Sequence, residues 1–144
     1  MNLIYLVTPF VTWLVAGSLK FMINSIRARQ LAFGLIGYGG LPSNHSAIVS
    51  SIATLIALKE GIDHPAFGVA ITLAFIVILD ANSLRQQVGK HAKALNQITN
   101  SQEKQTSKLR ERIGHTRIEI IAGVITGILV SLCISSATNL QAIG

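Results

Sequence analysis

Residues able to do chemistry are sparse in this chain and fall into three stretches. The first is Gly39-Gly40-Leu41-Pro42-Ser43-Asn44-His45-Ser46-Ala47, where two glycines and a proline break the chain ahead of an apolar run. This pattern delivers small polar groups and an imidazole to a helix N-terminus, where unpaired backbone N–H groups favour an anion. The second, Gly114-His115-Thr116-Arg117-Ile118-Glu119, has the same architecture. Together they make the two halves of a phosphate-handling site. The third is Asp80, which closes an apolar run just before Arg85.

Each has a plainer reading. Ser43 or Asn44 fits an N-cap, with His45 an incidental polar end of the helix. In the chemical reading, Ser43 and nearby amides hold a phosphoryl group and His45 supplies a proton. His115 and Glu119 are four apart and share one helical face, so the carboxylate can hold the imidazole in one tautomer. Thr116-x-x-Glu119 equally fits a capping box, in which Glu119 is structural. Asp80 lies at a membrane boundary, where an acid marks function. It can act directly or form an ion pair with Arg85 or Lys20. Lys90, Lys93, Lys104 and Lys108 read as a basic surface, His91 as an exposed helix residue, and His64 falls at the opposite end of the bundle.

These residues need a scaffold, and composition names its class. The 144 residues are half hydrophobic and only 12% charged, with a net charge of +6. Mean hydropathy is +0.54 and the pI about 10.0. A soluble domain carries roughly 25% charge, so a small all-α membrane bundle explains the deficit best. Basic charge suits anionic lipid or phosphorylated substrates. Aromatic residues make up only 6% and show no base-stacking pattern, so nucleic acid is not an expected partner. The single Cys133 excludes an internal disulfide and a cysteine-rich metal centre.

About four membrane helices are expected in one domain spanning 1–144. Leu3 to Leu19 is the first; without a side-chain cation at its start, it reads as a membrane helix rather than a signal peptide. Ala32 to Gly40 suits an interfacial segment. Ala47 to Leu58 is a second helix, shorter than the ~20 residues that usually span a bilayer. Pro65 begins a third, apolar to Leu79, whose helical pattern continues through Leu84, Val88, Leu95 and Ile98 as an amphipathic rod. Residues 99–108 read as a flexible linker within the domain. The last helix is apolar from Ile120 to Ala137, and Gly123 and Gly127 form a small face for close packing.

Of twelve Lys and Arg residues, only Lys59 lies between helices two and three. The positive-inside rule therefore puts the loops after helices one and three in the cytoplasm and both termini outside. His45, Arg85, His91, His115 and Glu119 then gather at one membrane face, the cytoplasmic side of a multi-pass cell-membrane protein.

Lys20-x6-Arg27, then Pro42-Ser43-Asn44-His45, then an arginine ahead of His115-x3-Glu119, resembles the three-part signature of the type 2 phosphatidic acid phosphatase superfamily. The closer resemblance is to its small divergent branch, related to acid phosphatases and vanadium-dependent haloperoxidases. It is carried by Gly39 to Ala47, by Asp80-Ala81 with Arg85 and Gly89, by Leu95-Asn96, and by Gly114-His115-Thr116 with Glu119 and Gly123. The order and joint presence of these motifs, from about Lys20 to Gly127, give the resemblance its specificity.

The resemblance implies a phosphatase with no cofactor and no metal. His115 would attack phosphorus, Glu119 would orient it, and His45 would protonate the leaving alkoxide. Lys20, Arg27 and a third-motif arginine would neutralise the phosphoryl oxygens, with Ser43 and Asn44 beside them. The sequence departs from the superfamily pattern at Ala28 (usually proline), Asn44 (usually glycine) and Glu119 (usually aspartate). Leu109 stands where the third-motif arginine belongs, leaving Arg110, Arg112 and Arg85 as alternatives. A phospholipid or isoprenoid phosphate is the implied substrate, with phosphatidylglycerophosphate the first choice. The branch has fewer helices than the main family, which allows a homo-oligomer. The rival expectation is a non-catalytic protein whose basic loops bind anionic lipid. A metal site from His45, His91, His115 and Asp80 has no supporting HxxxH or HExxH spacing.

Overall fold

The computed structural model describes residues 3–29, 31, 40–101, 108–111 and 113–141. Among them the chain is helical, without strands: α1 (Ile4–Ala28), α2 (Asn44–Lys59), α3 (Pro65–Leu79), one turn of π-helix (Asp80–Leu84), α4 (Arg85–Ser101) and α5 (Arg117–Gln141). The interfacial segment expected over 32–40 falls almost wholly outside the described residues, as do Lys104, Arg112 and most of the expected linker. Its first residues are helical, because α4 runs on through Ser101. Helix α1 likewise outruns its apolar stretch and carries Lys20 and Arg27 on its last turns.

Among the described residues, three helices are long and apolar enough to cross a membrane: α1, the continuous α3–π–α4 rod, and α5. The 16-residue α2 packs among them. Large apolar side chains point outward, among them Phe10, Trp13, Phe75, Ile76, Ile125 and Leu129. The interior is built instead from Ala16, Ala47, Ala53, Ala70, Ala74, Ser46, Ser51 and Ser131. Large side chains toward lipid and small ones between helices is the arrangement a bilayer favours, because lipid solvates apolar bulk and helices gain by close approach.

The small face of α5 sets the closest contact. A Cβ on Gly123 would overlap the Ser43 carbonyl oxygen and reach 2.9 Å from Ser46 Cβ; one on Gly127 would overlap the Ala47 carbonyl oxygen. Further along, the Ser131 hydroxyl donates to the Ser51 carbonyl at 2.6 Å, and Lys59 Nζ donates to Asn139. These contacts keep one sequence offset of 80 residues, so α2 and α5 run parallel. Both N-termini therefore point to the same end of the bundle. Helix α1 runs antiparallel to α2, with Tyr5 donating to Glu60 at one end and Gly17 beside Asn44 near the other. Its inward stripe is Thr8, Thr12 and Ala16, all fully buried, with Lys20 one turn further.

At the far end His64 caps α3 by accepting from Ala66 N–H at 3.2 Å, with Pro65 opening the helix. The rod that follows extends over 35 residues as far as Thr99. At 1.5 Å per residue that is about 52 Å, against a hydrocarbon core of ~30 Å. Most of α4 thus stands outside the apolar layer.

Candidate active site

Helix α2 begins at an N-cap. The Ser43 hydroxyl accepts from Ser46 N–H at 3.3 Å and from the Ser46 hydroxyl at 3.1 Å. The Ser43 N–H donates to the Glu119 carbonyl at 2.9 Å, fastening this cap to the first turn of α5. Ser43 is fully buried and capping is the role its contacts show. The next two side chains are different. Among the described residues, Asn44 Oδ1 and His45 Nδ1 are buried without a hydrogen-bond partner. Buried polar atoms are almost always paired, so two adjacent exceptions set this end of α2 apart.

At the start of α5 the capping box and the contact between Glu119 and His115 form one arrangement. Glu119 Oε2 accepts from Thr116 N–H at 3.0 Å while Thr116 Oγ1 accepts from Glu119 N–H at 3.3 Å, which closes the capping box. The same Oε2 lies 3.1 Å from His115 Nδ1. A carboxylate only accepts, so Nδ1 carries the proton and Nε2 presents its lone pair. Both residues are just 7% exposed. Burial pushes the His115 imidazole below its ordinary pKa; the bond to Glu119 opposes this, and the Lys20 charge adds to it.

The π-turn brings the third stretch to the site. Five residues along an α-helix advance about 500°, which would leave Asp80 and Arg85 about 140° apart. The wider i→i+5 turn closes that gap, with Arg85 N–H bonded to the Asp80 carbonyl. Asp80 Oδ2 then accepts from Arg85 Nε at 3.1 Å, and Arg85 Nη2 reaches His45 Nε2 at 3.4 Å. Guanidinium only donates, so His45 Nε2 accepts, and the ring proton belongs on the unpartnered Nδ1. The turn also releases the Ala81 carbonyl from the helix ladder. It accepts from His115 N–H at 2.9 Å, holding the second histidine against the first.

The approach to His115 runs along α4. Asn96 Nδ2 donates to the Leu109 carbonyl at 2.8 Å and to Glu111 Oε1 at 2.9 Å, and Asn96 Oδ1 accepts from Leu109 N–H at 2.9 Å. A Cβ on Gly89 would overlap the Glu111 carbonyl oxygen. Gly114, at φ 102°, then turns the chain over Gln86 and Arg85, a conformation side-chain-bearing residues rarely adopt. Gln86 Nε2 donates to the His115 carbonyl at 3.4 Å. Asn96 was legible only as part of a motif, and Gln86 not as a site-building residue, because the groups they hold at Leu109, Glu111 and His115 are distant in sequence.

His45 and His115, 70 positions apart in sequence, thus meet with ring centroids 5.7 Å apart. The cations whose charge acts on both rings are Lys20 and Arg85. Arg27 is exposed on the last turn of α1, and Arg110 is exposed on the segment that Asn96 pins. Among the described residues no group of three His, Cys, Asp or Glu converges as a metal site. Two imidazoles, one oriented by a carboxylate, lie between two helix N-termini and two cations. This set can form and break a bond at phosphorus while neutralising its oxygens.

Comparison with known proteins bears on which family these motifs belong to. The chain is similar to the uncharacterized membrane protein YuiD of Bacillus subtilis (strain 168), with 32% identity over 81% of this chain and 84% of that protein. No solved structure matches it. The model of a family described as "Divergent PAP2 family" matches residues 1–130, which include every element of the two-histidine site. The chain is a membrane protein with several apolar helices, and it belongs to the divergent PAP2 family.

Proposed function

We propose that this chain is a metal-independent phosphatase that hydrolyses a lipid phosphate monoester at the cytoplasmic face of the cell membrane. The observation that carries the reading is the buried His115–Glu119 pair facing His45 across 5.7 Å. His115 Nε2 attacks phosphorus as the ester P–O bond breaks, and His45 gives a proton to the departing alkoxide. His45 then takes a proton from water as that water attacks the phosphohistidine, which releases phosphate and restores His115. Glu119 balances the positive charge that His115 gains in the first step.

Lys20 and Arg85 neutralise the phosphoryl oxygens, with Arg85 in the place of the missing third-motif arginine. Asn44 and the amides at the start of α2 contact the same group. A bound phosphoryl group draws the Arg85 guanidinium from His45 Nε2 and offsets the positive field around that ring, so the ring can take up its second proton. Arg27 and Arg110 contribute attraction for an anionic substrate rather than direct contact. Phosphatidylglycerophosphate is the first substrate to try, followed by phosphatidic acid and isoprenyl phosphates. The expected result is phosphate release in strong chelator, inhibited by vanadate and abolished by His115→Ala. Activity retained in His115→Ala would remove the nucleophile, and salt-sensitive lipid binding without turnover would favour the non-catalytic reading.

A further inference from the structure

The outer face of α4 has no role in the site. Leu84, the last residue of the π-turn, and Val88, Leu95 and Ile98 of α4 are all exposed, and so is His91 among them. Their spacing is four, three, four, three, the repeat of a coiled-coil seam. Val88 and Leu95 take one core position of that repeat; Leu84, His91 and Ile98 take the other. The face beside it is already covered, since Gly89, Ala92 and Asn96 are buried where the chain returning to α5 is pinned. An apolar seam on the part of a rod that stands outside the hydrocarbon layer calls for a partner.

We infer that α4 pairs with α4 of a second copy of this chain, as a parallel two-stranded coiled coil projecting from the membrane. Three observations select a second copy over the bilayer. The rod continues from α3 without a break, so its seam runs away from the membrane rather than along it. Two copies inserted in the same sense present their seams parallel and at equal height, so the membrane supplies the register that a short coiled coil in water lacks. The charges also fit. Positions flanking the seam along α4 are Gln87, Ala92, Ala94 and Thr99, with Arg85 already paired to Asp80. Lys90 and Lys93 fall on the far side, so the pairing brings no like charges together. His91 supplies the single polar core position that favours one register.

The pairing does not depend on the phosphatase reading, and its test needs no turnover. In a Cys133→Ser background, single substitutions Val88→Cys, Leu95→Cys, Lys90→Cys and Lys93→Cys are oxidised mildly in native membranes and read on a non-reducing gel. Facing core positions of such a dimer lie within the range for a disulfide, about 4.4–6.8 Å between Cα atoms. The expected result is a dimer band several-fold stronger for Val88→Cys and Leu95→Cys than for the two lysine positions. All four sites are exposed, so none of these changes disturbs the packed core. As a second readout, Val88→Asp with Leu95→Asp converts dimers to monomers in single-molecule photobleaching of vesicles. Equal bands at all four positions, no band at Val88→Cys and Leu95→Cys, or an unchanged photobleaching distribution would each overturn the pairing. So would quenching of a label at Leu95→Cys by a lipid-phase quencher as strong as at Phe75→Cys, which would give the seam to the bilayer.

Discussion

Glu119 serves two structures with one oxygen, and Glu119→Gln separates them. In the proposed mechanism, positive charge develops on the His115 ring as Nε2 bonds to phosphorus, and Nδ1 of that ring lies 3.1 Å from Glu119 Oε2. A full unit charge at that distance interacts by about 5 kcal/mol at an effective dielectric of 20. Roughly half a charge develops at the transition state, so the differential stabilisation is about 2–3 kcal/mol, in line with a charge-assisted hydrogen bond. Glutamine keeps the shape and an acceptor but loses the charge. The expected loss in kcat is therefore about 30- to 160-fold, with little change in thermal stability. Thr116→Ala does the reverse: it removes the acceptor for Glu119 N–H and costs about 0.5–2 kcal/mol of stability, while the His115–Glu119 bond and kcat survive. The assay is phosphate release from lipid phosphate in mixed micelles, with thermal unfolding of the same preparations. If Glu119→Gln lowered the unfolding temperature and left kcat of the folded enzyme unchanged, the carboxylate would be a cap alone and the electrostatic argument would fail.

Three more outcomes follow from the geometry. Because burial holds the His115 pKa below about 6.5, activity should rise with pH through a midpoint under that value. Glu119 favours the protonated ring, so Glu119→Gln should move this acid limb to still lower pH, and Lys20→Met should move it up; a limb that ignores both would detach it from His115. Gly123→Ala drives a Cβ into the Ser43 carbonyl oxygen and should cost about 1–3 kcal/mol, seen as a lower unfolding temperature in detergent. Asn96→Ala removes three hydrogen bonds that pin Leu109 and Glu111; it should lower kcat and speed proteolysis between α4 and α5, while far-ultraviolet circular dichroism stays helical.

Much of the site was readable because its signals are local. A glycine–proline break before an apolar run, a histidine with a carboxylate four residues on, and a small-residue face on α5 are all properties of neighbouring residues. The cation bias placed the reactive residues at one end, and the two parallel N-termini agree with that placement. The competition between a capping box and a histidine–carboxylate pair at Glu119 had no sequence-level answer, because both use the same spacing; the structure shows one oxygen bonded to both Thr116 N–H and His115 Nδ1. Ser43, read also as a phosphate ligand, shows a capping contact. Asn96 stood out only as part of a motif, and its role was not legible because its partners at Leu109 and Glu111 lie more than ten positions away.

Sequence by itself determined the class of molecule: an all-helical membrane chain with three of its four imidazoles and most of its cations sorted to one end. Periodicity and charge are enough for that, because lipid and water sort side chains one helix at a time. The tertiary structure alone decided which cation meets which histidine. That choice depends on the rotation of one helix against another, and a single π-turn sets it by swinging Arg85 onto the face of Asp80 and His45. It also decided that His45 and His115 meet, since the constant register between α2 and α5 arises where Gly123 and Gly127 let two backbones touch.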